Sequence, residues 1–344
     1  DPAISKAAYT AALRAKVLDC LRGLLPASAM TNMGVFGNGR FFEGLLQKMN
    51  VHNLAEMQDI GKKGFQELSK VIPSFVRRSD PAHRYTQAYA QFSERVQSEL
   101  HQFAETHLKK MAPLAQSGVR LLQHDPDAPA KVAGALLFSS TSAGLDELQA
   151  YCRQLPEEEL GRLLEMGCLA RENRRHKSPR ALEHASFTFE IVADFGVYRD
   201  LHRHRMLTQE RQLLSCQFGF YTPQEIVGTE MEREYLHAMD KAKAAYDMIA
   251  QELPEEAQYI VPMAYNVRWY FHVNLRALQW LCELRSQAAG HPIYRLIAQE
   301  MARQVSQAVP AFERFFKFVD FDGYELGRLG AEIRQEEKAK ARSL

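Results

Sequence analysis

The stretch EHASFTFEI, residues 183–191, decides the fold because its apolar side chains alternate with polar ones. Phe187, Phe189 and Ile191 fall on one side of an extended backbone, which is typical of a half-buried β-strand. Beyond a short helical segment the chain reaches the run RHR at residues 203–205. We therefore expect a strand that leads through a short helix into a cationic triad.

The triad at residues 203–205 is interpreted as an anion site. Two guanidinium groups and an imidazole ring are costly to desolvate without an anionic partner. Their planar donor geometry suits a phosphate-bearing or flavin-type ligand. The alternative is an ordinary solvated helix face, which is where such runs usually lie. The triad by itself leaves both interpretations open.

The remaining pattern is mostly helical and predicts an α+β fold. Further short strands are predicted at 216–221 and 259–263, and the charged tail at 333–344 is predicted to be frayed or solvated. Apolar residues at helical spacing predict helices at 3–24, 41–71, 84–110, 157–171, 231–253, 273–285 and 294–316.

The composition excludes several classes of protein. With 344 residues, 46% of them hydrophobic, the chain can bury one large core or two modest ones, and two domains are expected. A net charge of +1 does not predict a nucleic-acid or membrane surface, and no apolar run approaches the roughly 18 residues of a membrane span. The five cysteines are scattered without a C-x-x-C pair, which predicts neither disulfides nor a metal site and indicates a reducing, cytoplasmic compartment.

An internal repeat relates the first part of the chain to the last. The Leu-Pro pair at 25–26 and Asn38 lie 236 positions before the Val-Pro pair at 261–262 and Asn274, respectively. We interpret the chain as two related units with the first incomplete. Either the first unit has lost its front part, or the sequence begins partway through a longer gene product.

The predicted domain boundaries follow from this repeat. Residues 1–117 are expected to form the incomplete first unit with a linking helix. Residues 118–322 are expected to form the complete unit, and residues 323–344 the charged tail.

A basic loop, residues 171–180, precedes the strand. Its cations would steer a nucleotide phosphate or the polyglutamate of a folate into a cleft. Alternatively, it is an ordinary exposed loop near a helix C-terminus, where cations complement the helix dipole. The basic residues of the loop are Arg171, Arg174, Arg175, His176, Lys177 and Arg180.

Three motifs, taken together and in this order, resemble the flavin-dependent thymidylate synthases of the ThyX type. The first is KSPRALEH at residues 177–184 with the strand that follows it, and the second is the triad at 203–205. The third is NLRAL at 274–278, which is followed by a Leu-Arg pair at 284–285. The resemblance covers roughly residues 130 to 320.

This resemblance implies a fold, a chemistry and a set of partners. The ThyX-like fold packs a small, mainly antiparallel sheet with long helices, and the family builds its sites between the subunits of a homotetramer, so self-association is expected. FAD is the implied cofactor, with NADPH and methylenetetrahydrofolate as co-substrates. The implied substrate is a pyrimidine nucleotide or related anionic small molecule, methylated at C5. Neither a nucleic acid nor a membrane is expected as a partner.

Site residues are carried over from the matching motif positions. His184 and Arg203 are the candidates for catalysis, and Glu210 and Arg285 are expected to bind the nucleotide. No metal is implied. The residues expected to bind FAD are Arg203, His204, Arg205, Asn274 and Arg276.

The sequence departs from the family pattern mainly where the nucleotide is bound. Leu213 and Ser215 stand where the family has a serine and an arginine that hold the nucleotide, and Gln258 stands in place of a second arginine. Asp200 replaces a glutamine and is expected to repel a phosphate, while Trp280 replaces an Asn or His. The flavin part of the resemblance is therefore stronger than the nucleotide part.

Two functions are consistent with this pattern. In the first, the chain is a ThyX-like flavoenzyme that carries out FAD-dependent reductive methylation at C5 of a pyrimidine nucleotide. In the second, it is a catalytically inactive ThyX-fold protein that binds flavin or serves as a structural or assembly subunit.

Overall fold

The computed structural model describes residues 5–111 and 116–342. Its strands are β1 (Gly118–His124), β2 (Ser186–Asp194), β3 (Thr208–Arg211) and β4 (Asn266–Asn274). Its α-helices are α1 (Lys6–Leu21), α2 (Gly39–Asn50), α3 (Ala55–Val71), α4 (Pro73–Val76), α5 (Arg84–His107), α6 (Ala128–Leu137), α7 (Leu145–Gln154), α8 (Glu157–Met166), α9 (Phe195–Leu201), α10 (Glu230–Ile249), α11 (Leu275–Arg285), α12 (Pro292–Ala308) and α13 (Leu329–Arg342). Short 3-10 helices lie at Arg22–Leu24, Arg77–Ser79, Phe138–Ser140, Arg180–His184, Glu256–Ile260 and Pro310–Phe316.

The described strands form one antiparallel sheet in the order β1-β2-β4-β3. The central pair, β2 and β4, aligns Phe189 with Phe271 and Ile191 with Trp269. Since paired residues of neighbouring strands point to the same side, these four side chains share one face, and all are buried. The α+β class predicted from the sequence is confirmed, with helices around a small antiparallel sheet.

The core lies between this apolar face and the helices at the C-terminal end of the chain. The ring of Phe312, in the 3-10 helix Pro310–Phe316, meets the ring of Phe187 edge-on with 6.3 Å between centroids. Phe312 also contacts Phe315, with 5.8 Å between ring centroids. All three rings are at most 1% exposed, so the predicted strand at 183–191 is held by aromatic packing on its apolar side.

Two of the predicted strands are wrong, and three observed strands were not predicted. Residues 259–263 end a 3-10 helix and then make a single bridge through Pro262, which has no N–H to donate to a ladder. Residues 216–221 contribute only an isolated bridge from Phe220 to Tyr265. Strand β4 shows the alternation of buried side chains that is typical of a strand, from Val267 to Val273. It was not predicted, and its last two residues fall in the helix predicted at 273–285.

The predicted helices are broken where local chemistry competes with helical hydrogen bonding. The helix predicted at 41–71 is two helices, because in the connection His52 Nδ1 accepts from Leu54 N at 3.1 Å. The helix predicted at 294–316 ends at Ala308, just before Pro310, as a proline requires. The predicted tail is helical as far as Arg342, and most of its side chains from 334 onward are exposed, so it is solvated but not frayed over that range. Residues 343–344 of the predicted tail lie outside the described residues.

The described chain divides into two compact units. The larger unit comprises residues 1–27, 116–247 and 260–344 and contains the sheet, whereas the smaller comprises residues 28–115 and 248–259 and contains α2 to α5. The boundaries predicted at 117 and 322 came from the internal sequence repeat and not from compactness. They therefore remain a prediction. None of the described helices is both long and apolar enough to cross a membrane.

Replacing Phe312 with Ala should lower the free energy of unfolding of the larger unit by about 3–5 kcal/mol, because the change leaves a cavity against Phe187. Both tryptophans, Trp269 and Trp280, lie in the larger unit, so urea unfolding followed by tryptophan fluorescence reports on it. Phe75 is the matched control, since it is 51% exposed and lies in the smaller unit. Phe75→Ala should leave the fluorescence midpoint unchanged, and equal shifts for the two variants would contradict this assignment of the core.

Candidate functional site

The larger unit contains a cavity of about 610 Å³ on which the sequence motifs converge. It is enclosed by most of the basic loop, from Arg171 to Ser178, by Glu183, by residues 203–207, and by α11 with its cap Asn274. The residues predicted to bind FAD all line this cavity, together with Arg285, which was predicted to bind the nucleotide. They are Arg203, His204, Arg205, Asn274 and Arg276.

Helix α11 presents a regular face to the cavity. Asn274 ends β4 and caps the helix, its Oδ1 accepting from Ala277 N at 2.9 Å, so its amide NH₂ group can donate to a ligand. Arg276, Trp280 and Leu284 follow at intervals of four residues, which places them on one side of the helix. All three line the cavity.

The basic loop is fastened to α11 at several points. Arg171 makes a two-pronged ion pair with Glu283, with N to O distances of 2.8 and 2.7 Å, and both side chains are buried. Ser178 donates its hydroxyl to Gln279 Oε1 at 2.5 Å, and Arg276 Nε donates to the Ser178 carbonyl at 2.9 Å. The loop is therefore a fixed wall of the cavity and not merely an exposed connection.

The triad is positioned by α9. Asp194 ends β2 and caps α9 by accepting from Val197 N at 2.9 Å, and the helix ends just before the triad. Gln209 on β3 donates to the carbonyl of His204 at 3.3 Å, which ties the triad to the sheet. Arg203 lines the cavity with a side chain that is 68% exposed and lies 3.8 Å from the Asp200 carboxylate.

His204 and Arg285 are in direct contact across the cavity wall. Arg285 Nε donates to His204 Nε2 at 3.0 Å, so the predicted FAD site and the predicted nucleotide site share a hydrogen bond. Burial, together with the nearby charge of Arg285, lowers the pKa of His204 from its ordinary value of 6.5 to about 4. The imidazole is therefore neutral at physiological pH, and its remaining proton lies on Nδ1.

The cavity has a strong excess of positive charge. Among the described residues that line it, Glu183 is the one carboxylate, and it accepts from Arg276 Nη1 at 2.8 Å. Such a concentration of cations is costly without an anion nearby and attracts one through the focused field. The cationic lining residues are Arg171, Arg174, Arg175, Lys177, Arg203, Arg205, Arg276 and Arg285.

Two predicted site residues do not line this cavity. His184 is exposed at the end of the 3-10 helix Arg180–His184, although its neighbour Glu183 lines the cavity. Glu210 is exposed on β3, opposite Tyr270. Arg180 of the basic loop also lies outside the cavity, with its guanidinium next to Glu183.

Asp200, Leu213 and Ser215, which depart from the family pattern, do not line the cavity. Asp200 does not line the cavity; its carboxylate lies 3.5 Å from Arg22 Nη2 and 3.8 Å from Arg203 Nη2. The expected repulsion of a phosphate by Asp200 remains a prediction, and the two neighbouring guanidinium groups would reduce it. Leu213 and Ser215 also lie outside the cavity, the first exposed and the second buried.

Sequence reasoning missed several residues that build the site. Glu283 and Gln279 hold the basic loop, and Glu183 holds Arg276. Trp280 was noted only as a departure, yet it lies on the cavity side of α11. Its spacing of four residues from Arg276 was the signal that could have placed it there.

Neither a cysteine nor a metal-binding cluster is found at this cavity among the described residues. None of the cysteines lines the cavity, and burial raises the pKa of the Cys282 thiol. The described histidines, cysteines and acidic residues do not gather into a group that could hold a metal ion.

Fold and site together define an α+β protein with a cationic small-molecule cavity. A family model described as "Thymidylate synthase complementing protein" matches residues 120–311, which is more than half of the chain. The chain belongs to that family, and the resemblance to ThyX proteins predicted from its motifs is confirmed.

The relatives of this chain include UPF0159 proteins and a flavin-dependent thymidylate synthase. A "UPF0159 protein" of Chlamydia muridarum is 51% identical over 336 residues, which are 98% of this chain and 64% of that protein. A UPF0159 protein of Thermoplasma acidophilum is 31% identical over 98% of this chain and 66% of its own length. A "Flavin-dependent thymidylate synthase" of Clostridium tetani is 28% identical over 56% of this chain and 83% of its own length. The chain thus spans slightly less than two thirds of the two UPF0159 proteins.

His204 should remain neutral far below the usual pH for histidine and should carry its proton on Nδ1. Nitrogen-15 NMR of labelled protein should show this tautomer at pH 7 and a titration near pH 4. Because the unfolded chain takes up the proton first, this group reduces stability as the pH falls from about 6.5 to about 4. In Arg285→Met the pKa should rise but stay below 6.5, since burial remains. An Nε2–H tautomer in the wild type would contradict the contact.

Glu283→Gln should destabilise the larger unit by about 3–5 kcal/mol, because it leaves Arg171 buried without a carboxylate. Hydrogen exchange of residues 171–178 should speed up in the same variant. The matched control is Glu158→Gln, in an exposed pair with Arg162 on α8, which should cost about 0.5 kcal/mol or less. Unchanged exchange in the loop would show that the ion pair does not hold it.

Proposed function

We propose that this chain binds FAD in the cationic cavity and takes part in reductive methylation at C5 of a pyrimidine nucleotide. The observation that carries the proposal is the convergence of the triad, Asn274 and the basic loop on one cavity in a member of this family. The cavity volume of about 610 Å³ falls within the range of roughly 300–1,000 Å³ that is usual for ligand sites.

The donor set fits a phosphate-bearing flavin. Arg203 and Arg205 offer exposed guanidinium groups suited to phosphate oxygens. Asn274 offers an amide NH₂ group whose oxygen is already used in capping α11. Neutral His204 offers an Nδ1–H group that can donate to a carbonyl or ring nitrogen without adding charge. Arg276 is partly neutralised by Glu183, so we assign it to shaping the site as well as binding.

When bound, FAD would supply the hydride, with NADPH as the reductant and methylenetetrahydrofolate as the carbon donor. The protein's part is to bind and orient the reactants and to stabilise negative charge as it develops. Arg285 is already held by His204 and would keep its outer guanidinium nitrogens for an anionic substrate. None of the steps assigned to this chain needs a cysteine.

The nucleotide part of the site departs most from the family pattern, and these departures favour a second candidate function. Leu213, Ser215 and Gln258 replace family residues that hold the nucleotide. His184 and Glu210 lie outside the cavity. A charge-assisted hydrogen bond contributes about 1.5–3 kcal/mol, so losing two would weaken binding by roughly 10² to 10⁴. The second candidate is a protein that binds flavin, or only assembles with other subunits, without catalysis.

We also propose that the chain contains a partial tandem repeat of one unit. Helices α3 and α12 both have 17 residues and start 237 positions apart, at Ala55 and Pro292. The caps of α2 and α11 match as well: Asn38 Oδ1 accepts from Phe41 N at 2.9 Å, as Asn274 does from Ala277.

The prolines of the repeat support the same proposal. Ala27 N donates to Val261 O at 2.9 Å, and Met263 N donates to Leu25 O at 2.8 Å. Leu25 corresponds to Val261 in the repeat, and Ala27 corresponds to Met263. Replacing each residue by its counterpart turns one of these bonds into the other, as expected for a local two-fold axis through Pro26 and Pro262. Met49 stands where the second copy has Arg285, so we assign nucleotide binding to the second copy. On this proposal residues 1–117 are the incomplete copy and residues 118–322 the complete one.

Self-association, a cytoplasmic location and the lack of a nucleic-acid or membrane partner complete the proposal. They are supported by the family and by a net charge of +1. Size-exclusion chromatography with light scattering measures the first of them directly.

The purified chain, saturated with FAD and desalted, should keep the visible absorption bands of oxidised flavin. Arg205→Ala should weaken FAD binding by about 10- to 150-fold, the loss of one charge-assisted contact. Arg233→Ala is the control, because Arg233 is 87% exposed on α10, away from the cavity. A wild-type chain that remains colourless would rule out the flavin proposal.

Deoxyuridylate binding by the FAD-loaded chain then separates the two candidate functions. Saturable binding that is weakened by Arg285→Ala supports the enzyme. Flavin binding with no deoxyuridylate binding at millimolar concentration supports the inactive protein.

A further inference from the structure

Trp280 is an unusual residue for the wall of a cationic cavity. The chain has two tryptophans; Trp269 is 2% exposed within the sheet, whereas Trp280 is 42% exposed. An indole ring has the largest apolar surface of any side chain, and leaving it in water forgoes the gain from burying it. Because Trp280 lines the cavity, its exposed surface is available to a ligand.

The backbone holds Trp280 in this position. It lies in the second turn of α11, four residues after Arg276 and four before Leu284, on the face that lines the cavity. Its neighbours in sequence, Gln279 and Leu281, are buried. The helix therefore cannot turn the indole away from the cavity without exposing its buried side.

Arg174 of the basic loop lies against the indole. Its guanidinium carbon is 5.7 Å from the Trp280 ring centroid, within the range of a cation–π contact. With its amide oxygen turned toward the loop, Gln287 accepts from Arg174 Nε at 2.7 Å. The ion pair between Arg171 and Glu283 fixes the loop three residues earlier. Indole and guanidinium are thus both held before any ligand binds.

We propose that Trp280 and Arg174 form a stacking subsite for the planar heteroaromatic ring of a phosphate-bearing ligand. This inference rests on the proposed function, because it assigns one part of the same cavity. The indole supplies a flat, polarisable surface, and the surrounding arginines supply the counter-charge for the phosphates. Such a subsite recognises the shape of the ring and not the hydrogen-bonding pattern of its edge.

The subsite explains why a tryptophan at position 280, where the family has an Asn or His, can serve ligand binding. The resemblance places an Asn or His at position 280, and either side chain can donate and accept hydrogen bonds at a ring edge. Tryptophan offers one N–H donor and a large face, so here stacking replaces edge recognition. The ring that stacks can be an isoalloxazine, an adenine or a pyrimidine, since all three have the chemistry that the subsite needs.

Calorimetric titration with four probes tests the proposal and identifies the ring. The probes are FAD, riboflavin 5′-phosphate, ADP and deoxyuridylate, each titrated into wild type, Trp280→Phe and Trp280→Leu. For the ring that stacks, Trp280→Leu should weaken binding by about 5- to 150-fold, whereas Trp280→Phe should stay within about fivefold, because it keeps an aromatic face. Loss with both FAD and riboflavin 5′-phosphate identifies the isoalloxazine, and loss with FAD and ADP identifies the adenine.

Fluorescence provides a readout that a merely structural role would not change. In wild type, acrylamide should quench the Trp280 emission, and the probe that stacks should protect it. In Trp280→Phe the remaining emission comes from buried Trp269 and should resist acrylamide with or without the probe. Tyr151→Leu, at a 58% exposed position on α7, is the control for loss of an exposed aromatic ring.

The outcomes separate this proposal from the proposed function. Equal losses of probe affinity in Trp280→Phe and Trp280→Leu, or no loss in either, would overturn the stacking proposal. The proposal that the wild type binds FAD would still stand. A wild-type chain that binds none of the four probes would overturn both. Thermal unfolding of each variant should match wild type within about 2 °C, because a 42% exposed side chain contributes little to the core.

Discussion

The antiparallel register of β2 with β4 is the constraint on which the site depends. It pairs Ser186 with Asn274, so the segment that enters β2 lies beside the point where β4 passes into α11. Glu183 and Ser178 consequently reach Arg276. A slip by one residue would place the apolar side chains of one strand on the face opposite those of the other, so the aromatic core and the cavity wall are specified by the same alignment.

The cations of the cavity are held by contacts that cost stability. Arg171 and Glu283 are taken out of water together, and a buried pair of this kind seldom stabilises more than an apolar pair would. His204 is kept neutral by burial and by the charge of Arg285, which lowers its pKa to about 4. Donors that are already aligned need little reorganisation when charge develops in front of them. Giving up stability in exchange for pre-aligned donors is typical of a functional site and unusual in a core built for stability alone.

The balance of charges also depends on residues far apart in sequence. Asp200 shows this most clearly: it lies beside the triad in sequence, and its carboxylate lies near both Arg203 and the distant Arg22. Arg276 has a local anionic partner in Glu183, whereas Arg285 is held by the neutral ring of His204. The cations of the cavity are therefore not equivalent, and those without a carboxylate partner are the natural ligands for an anion.

The sequence by itself determined the strand observed as β2, although its predicted start lies in the preceding 3-10 helix. It also determined the family and the six residues of the predicted FAD and nucleotide sites that line the cavity. These features can be predicted from local sequence patterns, namely alternation with period two, a helix cap such as Asn274, and short motifs in a fixed order. Only the tertiary structure decided that Glu283 holds the basic loop and that His184 and Glu210 lie outside the cavity. Each of these depends on strand register or on contacts between segments about one hundred residues apart. Short-range periodicity carries no information about such pairings.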